Sequence, residues 1–225
     1  MKASPGARSW IAAGVRHELL TRALPALRHD MAAPVSVIRM ALLMLKRQVS
    51  VPTIDAPACE ERVALIDNQV SELVEGIRSL RDWELATTDE GITRSALVMQ
   101  CVGLMRAAFD MHGVVLDVDP ALDPREDEAR RPQGAALRYL LLGALGYLHD
   151  GPSEAGAIRI DADGADALRL SALPRESGGV SPVLDAHRAP RALAIDAIAL
   201  QSLAEDLGYT LALERDSVRF SLAPG

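Results

Sequence analysis

The 225 residues are 49% hydrophobic and carry 24 Lys+Arg against 31 Asp+Glu, a net charge of -7, which fits one or two globular domains and argues against a general nucleic-acid binder. Aromatics make up 3% of the chain, so the cores have to be built from Leu, Val, Ile, Met and Ala. The two cysteines, Cys59 and Cys101, form neither a disulfide framework nor a metal site and suit a reducing cytosol. No basic start followed by an apolar run reads as a signal peptide. The most apolar window, Ala135 to Leu148, is interrupted by Arg138 and is too short to span a bilayer. A soluble, cytoplasmic protein without nucleic-acid or membrane partners is expected. The charge is uneven: residues 1–86 hold 11 basic and 10 acidic residues, residues 87–225 hold 13 and 21.

In chain order, residues 1–9 read as a loose leader. From about Ser9 to Gln48 the pattern is helical, with Leu20, Leu24, Leu27, Met31, Pro34, Ile38, Ala41 and Leu45 recurring every three or four residues. That spacing is the seam of a packed helix. His29 lies two positions past Leu27, and about 100° of turn per residue carries it off the seam to the outer face. Pro25 and Pro34 stand on either side of it, and each removes an N–H and pushes on the preceding turn, so a bend near His29 is expected. Val49 to Pro57 breaks the helix. A second helix, about Ala58 to Leu85, carries Val63, Ile66, Val70, Leu73, Ile77 and Leu80 at the same steps. Two matching seams joined by a short connection make an antiparallel hairpin spanning residues 10–86. Such a hairpin buries only part of its apolar surface, and pairing with a second copy into a four-helix bundle is the simplest remedy.

Residues 87–93 read as a linker, and residues 94–225 as a second domain. A helix from about Arg94 to Met111 leads to a strand, Val114 to Val118, and a charged loop to Gln133. The helix Gly134 to Leu148, apolar almost all round, should be buried. Strands Ala157 to Asp161 and Ala167 to Leu173 flank a turn at Asp163-Gly164, and Pro174 to Pro190 reads as loop. A helix from about Ala192 ends at Gly208, a C-cap, and the strands Tyr209 to Glu214 and Ser217 to Leu222 form a closing hairpin. The whole is α+β: a helical hairpin followed by an α/β sandwich with its helices on one face. Asp119, Asp123, Glu126, Asp127 and Glu128 cluster in the charged loop and read as a solvated face rather than a metal site.

A hairpin with an outward His-Asp joined to a small α/β sandwich resembles the core of bacterial sensor histidine kinases over residues 10–225. The residues that carry the likeness are His29, Asp30, Met31, Ala32, Ala33, Pro34, Val35 and Ser36, which follow the family's order of His, acid, apolar, two variable positions, Pro, apolar and Ser/Thr. The resemblance implies that His29 is the phosphoacceptor and Asp30 its orienter or base, in a dimeric four-helix bundle. The chemistry suits histidine, whose unperturbed pKa near 6.5 leaves a neutral ring nitrogen at pH 7. A second pair, His17-Glu18, lacks the proline five residues on, where Arg22 stands, and falls on the extrapolated seam. Ala33 occupies the position where the family often has Thr or Asn to hold a water for dephosphorylation.

The second domain resembles a degenerate histidine-kinase-type (Bergerat/GHKL-like) ATP-binding domain. Gly143 stands where the family has its metal-binding Asn and Gly146 where it has Lys. Pro174-Arg175-Glu176-Ser177-Gly178-Gly179 lacks the adenine-reading Asp, and Arg191-Ala192-Leu193-Ala194-Ile195 replaces the Gly-rich lid. The chain is therefore similar to dimeric histidine phosphotransferases derived from such kinases. The resemblance implies a homodimer that passes a phosphoryl group between receiver-domain aspartates of response regulators or hybrid kinases. No cofactor or metal of its own is implied, Mg²⁺ coming with the receiver. Arg22, Ala26, Ala32, Ala33, Ser36, Met40 and Leu43 form the expected docking face, with Met40 and Leu43 equally able to pack inside a four-helix bundle. The alternatives are a pseudokinase-type regulator that binds a histidine kinase or response regulator without transfer, and an active kinase that holds nucleotide by unfamiliar residues.

Overall fold

A computed structural model of the chain describes residues 5–80, 91–151, 155–175 and 193–224. By its contacts the chain divides into two compact units, Met1–Ala23 with Thr88–Gly225, and Leu24–Thr87. The boundary between them falls inside the first helix, α1 (Pro5–Val49), and not near residue 10 where the sequence pattern put the start of the hairpin.

The first half of α1 belongs with the α/β unit. The expected leader is helical from Pro5 onward, a residue suited to a first helical position because its missing N–H would have no partner there. Ala12, Val15, Leu19 and Ala23 are buried, so the packed face runs one residue ahead of the Leu20–Leu24 seam read from sequence, and Leu24 is 42% exposed. The reason is tertiary. This half of α1 answers to the α/β unit and not to a helical hairpin. Arg8 pairs with Glu205 at 2.6 Å, Arg16 with Asp206, and Arg22 with Asp150 at 2.8 Å, setting basic residues of α1 against the acidic second region.

In the α/β unit the elements are β1 (Ile92–Thr93), α3 (Arg94–Met111), β2 (Val115–Val118), β3 (Arg130–Arg131), α4 (Gly134–Asp150), β4 (Ala155–Ala162), β5 (Ala167–Pro174), α5 (Ala197–Leu207), β6 (Leu211–Leu213) and β7 (Ser217–Ser221). Five strands form one sheet in the order β2-β4-β5-β7-β6, with β2 parallel to β4 and the other neighbours antiparallel. Period-two alternation sorts the two faces. Leu116, Ile158, Ile160, Leu168, Leu170, Val218 and Phe220 are buried, while Arg159, Arg169 and Arg219 alternate with them and are exposed. The helices lie on the apolar face, as the alternation predicts, and α4 packs on β4, β5 and β7.

Helix ends follow local chemistry. The Thr93 hydroxyl accepts from Ala96 N–H at 3.2 Å. Glu128 closes the same end by accepting from Ser95 N–H at 2.7 Å and from the Ser95 hydroxyl. One carboxylate of the supposed solvated cluster is thus a cap for α3. Asp196 caps α5, its Oδ1 accepting from Ala199 N–H at 2.8 Å, so α5 begins about five residues later than its apolar pattern suggested. Gly208 ends it at φ 80°, a left-handed position that favours glycine. Strand β6 is shorter than the stretch Tyr209 to Glu214, because Tyr209 is buried as part of the turn out of α5.

The second unit is the hairpin of α1 from Leu24 onward and α2 (Ala56–Leu80). Here the sequence seam holds on α1: Leu27, Pro34 and Ala41 are buried, with Met31, Ile38 and Leu45 half-buried between them. Helix α2 faces α1 at Gly76, where a Cβ would lie 3.8 Å from Met31 Cγ, an ordinary van der Waals contact. On α2 two of the five described seam residues are partly covered. Ile66 and Leu73 are half-buried, whereas Val63, Val70 and Ile77, spaced by seven, are exposed. Helix α1 stays helical through both prolines. The end of α2 expected near Leu85, and the turn and lid segments from Glu176 to Ala192, lie outside the described residues. No helix among the described residues is long and apolar enough to cross a membrane.

Candidate functional site

His29 sits on the outer face of α1, where the three-and-four periodicity puts it, and its side chain is 82% exposed. Its neighbours on the seam, Leu27 and Met31, turn inward, so burial of those two sets the direction of the imidazole. Pro34 packs into the seam, and its missing N–H removes the helical donor that the Asp30 carbonyl would otherwise have. Asp30 Oδ1 lies 3.5 Å from His29 Nδ1, within ion-pair reach but longer than a good hydrogen bond. The carboxylate thus addresses Nδ1, and Nε2 is the nitrogen left to face an incoming molecule.

The other residues of the expected docking face divide. Ala32, Ala33 and Ser36 are exposed beside His29, Ala26 is half-buried, and Met40 and Leu43 are 56% and 58% exposed in the single chain. The Ser36 hydroxyl is turned back to the Ala32 carbonyl at 3.1 Å. Arg22 does not belong to this face. Its Nε donates to Glu18 Oε1 at 2.9 Å, and its terminal nitrogen donates to Asp150 Oδ2 at 2.8 Å and to the Leu193 carbonyl at 2.9 Å. A charge with three partners inside the α/β unit cannot also serve as a docking contact, and its sequence position alone, one turn from Ala26, concealed this. His17 is exposed, not on a seam, because the packed face of the first half of α1 is displaced by one residue.

On α4, fourteen of seventeen residues are buried. Gly143 and Gly146 allow close approach of neighbours on this helix. A Cβ at Gly143 would lie 2.9 Å from Leu203 Cδ2 and 3.0 Å from Leu200 Cδ1, with Leu19 Cδ1 at 3.8 Å, and one at Gly146 would lie 2.7 Å from Ile195 Cδ1. The space that a larger side chain would need at either position is filled by aliphatic groups of α1, α5 and the segment before α5. Among the described residues, no group of three or more His, Cys, Asp or Glu side chains is placed to hold a metal ion.

Pattern reading missed a cluster at the end of α4. Glu18, Arg22, Met105, Ala108, Phe109, His112, His149 and Asp150 line a cleft of about 200 Å³. Burial alone would push the Asp150 carboxyl up. Hydrogen bonds from His149, Arg22 and the Ile195 N–H, with the Arg22 charge, outweigh that and hold it well below the usual carboxylate range. Nothing in the spacing of these residues signals the cluster, since Arg22 and Asp150 are 128 positions apart.

No family model matches the sequence, and no curated protein matches it significantly. Solved structures do. A histidine kinase from Burkholderia phymatum STM815 is similar at 16% identity over 99% of this chain and 100% of that one, with a TM-score of 0.36. The histidine kinase AdeS of Acinetobacter baumannii is similar at 14% identity over 86% of this chain and 98% of its own, with a TM-score of 0.36. The cytoplasmic segment of the histidine kinase QseC is similar at 13% identity over 70% of this chain and 95% of that chain, with a TM-score of 0.37. At these scores the likeness carries nothing about the chemistry of this chain.

Proposed function

We propose that this chain is a histidine phosphotransfer protein: His29 takes a phosphoryl group from the aspartyl phosphate of one receiver domain and gives it to the aspartate of another. The observation that carries this reading is the presentation of His29, outward on a packed helix with a carboxylate addressed to one ring nitrogen only. With Nδ1–H toward Asp30, the Nε2 lone pair attacks phosphorus and the receiver's carboxylate leaves. The positive charge that develops on the ring is offset by Asp30. The small neighbours Ala32 and Ala33 permit close approach of a partner, and transfer of this kind depends chiefly on positioning and charge neutralisation. The Mg²⁺ belongs to the receiver.

The working form is a homodimer in which the exposed Val63, Val70 and Ile77 row meets a second copy, completing a four-helix bundle around the hairpin. A heptad-spaced apolar row on a surface helix is what such a seam requires. Phosphate comes from a receiver and not from ATP. Supporting this, the α4 positions that resemble the metal-binding and lysine positions of the kinases are glycines, and aliphatic side chains crowd the space a replacement would occupy.

The test is a transfer assay on the full chain. Incubation with a phosphorylated receiver and Mg²⁺ should give acid-labile label on wild type, located at Nε2 by phosphohistidine NMR. His29→Ala should lose the label while melting within about 1 °C of wild type, since the side chain is solvent-facing. Label from ATP alone would overturn the nucleotide part of the reading. Binding of receivers without any label would favour a regulator that docks and does not transfer.

A further inference from the structure

The hairpin carries apolar positions beyond the seam that joins its own two helices. Along α1, Val35, Leu42 and Val49 recur every seven residues and are exposed, as are Val63, Val70 and Ile77 along α2. Three residues past a row member comes one turned toward the hairpin's own seam: Ile38 and Leu45 on α1, Ile66 and Leu73 on α2, all half-buried. The two rows therefore stand at the same rotation from the seam, about 60° on each helix. Right-handed helices that run antiparallel carry equal rotations to the same side, so both rows share one face of the hairpin. His29 lies about 120° around α1 from Val35. A molecule seated on the shared face leaves the imidazole open.

Opposite charges border the two rows. Four residues past Val35 and Leu42 stand Arg39 and Lys46, both exposed. The corresponding places on α2, four past Val63 and three before it, hold Asp67 and Glu60, also exposed. Among the described residues of the hairpin the ion pairs are His29–Asp30 and Arg78–Glu75, and none of these four side chains joins one. They lie on the two opposite borders of the shared face, basic along α1 and acidic along α2. Their heights correspond. Gly76 is level with Met31, and Arg39 lies eight positions past Met31 while Asn68 lies eight before Gly76. Arg39 and Asp67 thus differ in height by one residue, about 1.5 Å. By the same count Lys46 is level with Glu61, the neighbour of Glu60.

We propose that this face recognises itself by charge: a second copy, turned about an axis parallel to the helices, lays its α2 on α1 and its α1 on α2. The proposal rests on the homodimer reading above and adds the alignment of the copies and the residues of α1 that take part. Arg39 then faces Asp67 of the second copy, and Lys46 faces Glu60, each pair being made twice. Rotation about that axis preserves height, so the rows interleave. Leu42 enters between Val63 and Val70 of the second copy, and Val35 between Val70 and Ile77. The other two-fold arrangement, α1 on α1 and α2 on α2, sets basic border against basic and acidic against acidic, which is repulsive. Charges that find partners only between copies favour self-pairing over other apolar hairpins.

The experiment compares the full wild-type chain with two reversed chains, Arg39→Glu with Lys46→Glu, and Glu60→Lys with Asp67→Lys. All four positions are exposed, so both reversed chains should fold. In low salt each should dissociate with a constant at least about tenfold above wild type in sedimentation. Mixed in equal amounts they should recover wild-type affinity as a heterodimer, resolved by native mass spectrometry, because each reversed border then meets its opposite. High salt should shrink these differences. A dimer that neither reversal weakens would overturn the alignment and leave the homodimer standing. In that case a mixture tighter than wild type would assign the α1-on-α1 arrangement instead. A wild type that sediments as a monomer at every concentration would overturn the homodimer reading and this proposal with it.

Discussion

Along α4 fourteen of seventeen residues are buried, whereas along α2 no described side chain is. Both helices are amphipathic or apolar enough to demand a covering, yet only one receives it inside a single chain. Helix α4 lies between a five-stranded sheet and α3 and α5, so its apolar circumference is covered on all sides. Among the described residues, helix α2 has one helical neighbour. A surface helix with a single partner can cover roughly one stripe of about 100°, and its second stripe, Val63, Val70 and Ile77, stays in water. The difference shows that burial is a property of how many layers an element meets, and the bare row is the surface at which we propose that a second copy docks.

The sharpest way to break this contrast is substitution in the covered helix. Leu141→Ala, at a fully buried position of α4, should lower the unfolding free energy by about 3 kcal/mol in denaturant titration. A loss under about 1 kcal/mol would mean that α4 is less enclosed than its burial indicates. The bare stripe calls for a different readout. Val70→Asp with Ile77→Asp should change the stability of the α/β unit by no more than about 0.5 kcal/mol while converting a dimer to a monomer in sedimentation. A double variant that still sediments as a dimer would remove this stripe from the interface. The smallest effect concerns the thiols. Burial pushes the Cys101 thiol up to about 12, with the Arg138 charge acting weakly the other way. Cys59, half-buried on α2, should be the one thiol titrated in the native protein at pH 8, and both should react in denaturant. Two native thiols would show that α3 opens readily.

Much of the fold was legible because it is written in short-range periodicity. Helix α3 runs from Arg94 to Met111 as its pattern proposes, α4 begins at Gly134, and the closing hairpin β6–β7 pairs as expected. The outward placement of His29 was legible for the same reason, since Leu27 and Met31 define the inner face by spacing alone. The first half of α1 was misread by one residue. Leu20 and Leu24 continue the hairpin's pattern, but Leu19 and Ala23 are the ones buried, because the partner there is an α/β unit with its own shape. Arg22 was misplaced for that reason too.

What the sequence alone determined, then, is the alternation of elements, the apolar faces of the hairpin and the exposure of His29 and Asp30. These are matters of residue type at distances of one to seven positions, where backbone geometry leaves little choice. Tertiary structure decided the rest: that residues 5–23 belong with the α/β unit, that Glu128 caps α3, and that Arg22, Asp150, His149 and His112 converge. Each joins residues 33 to 197 positions apart, and such pairings are set by the packing of whole layers, for which no local pattern carries a signal.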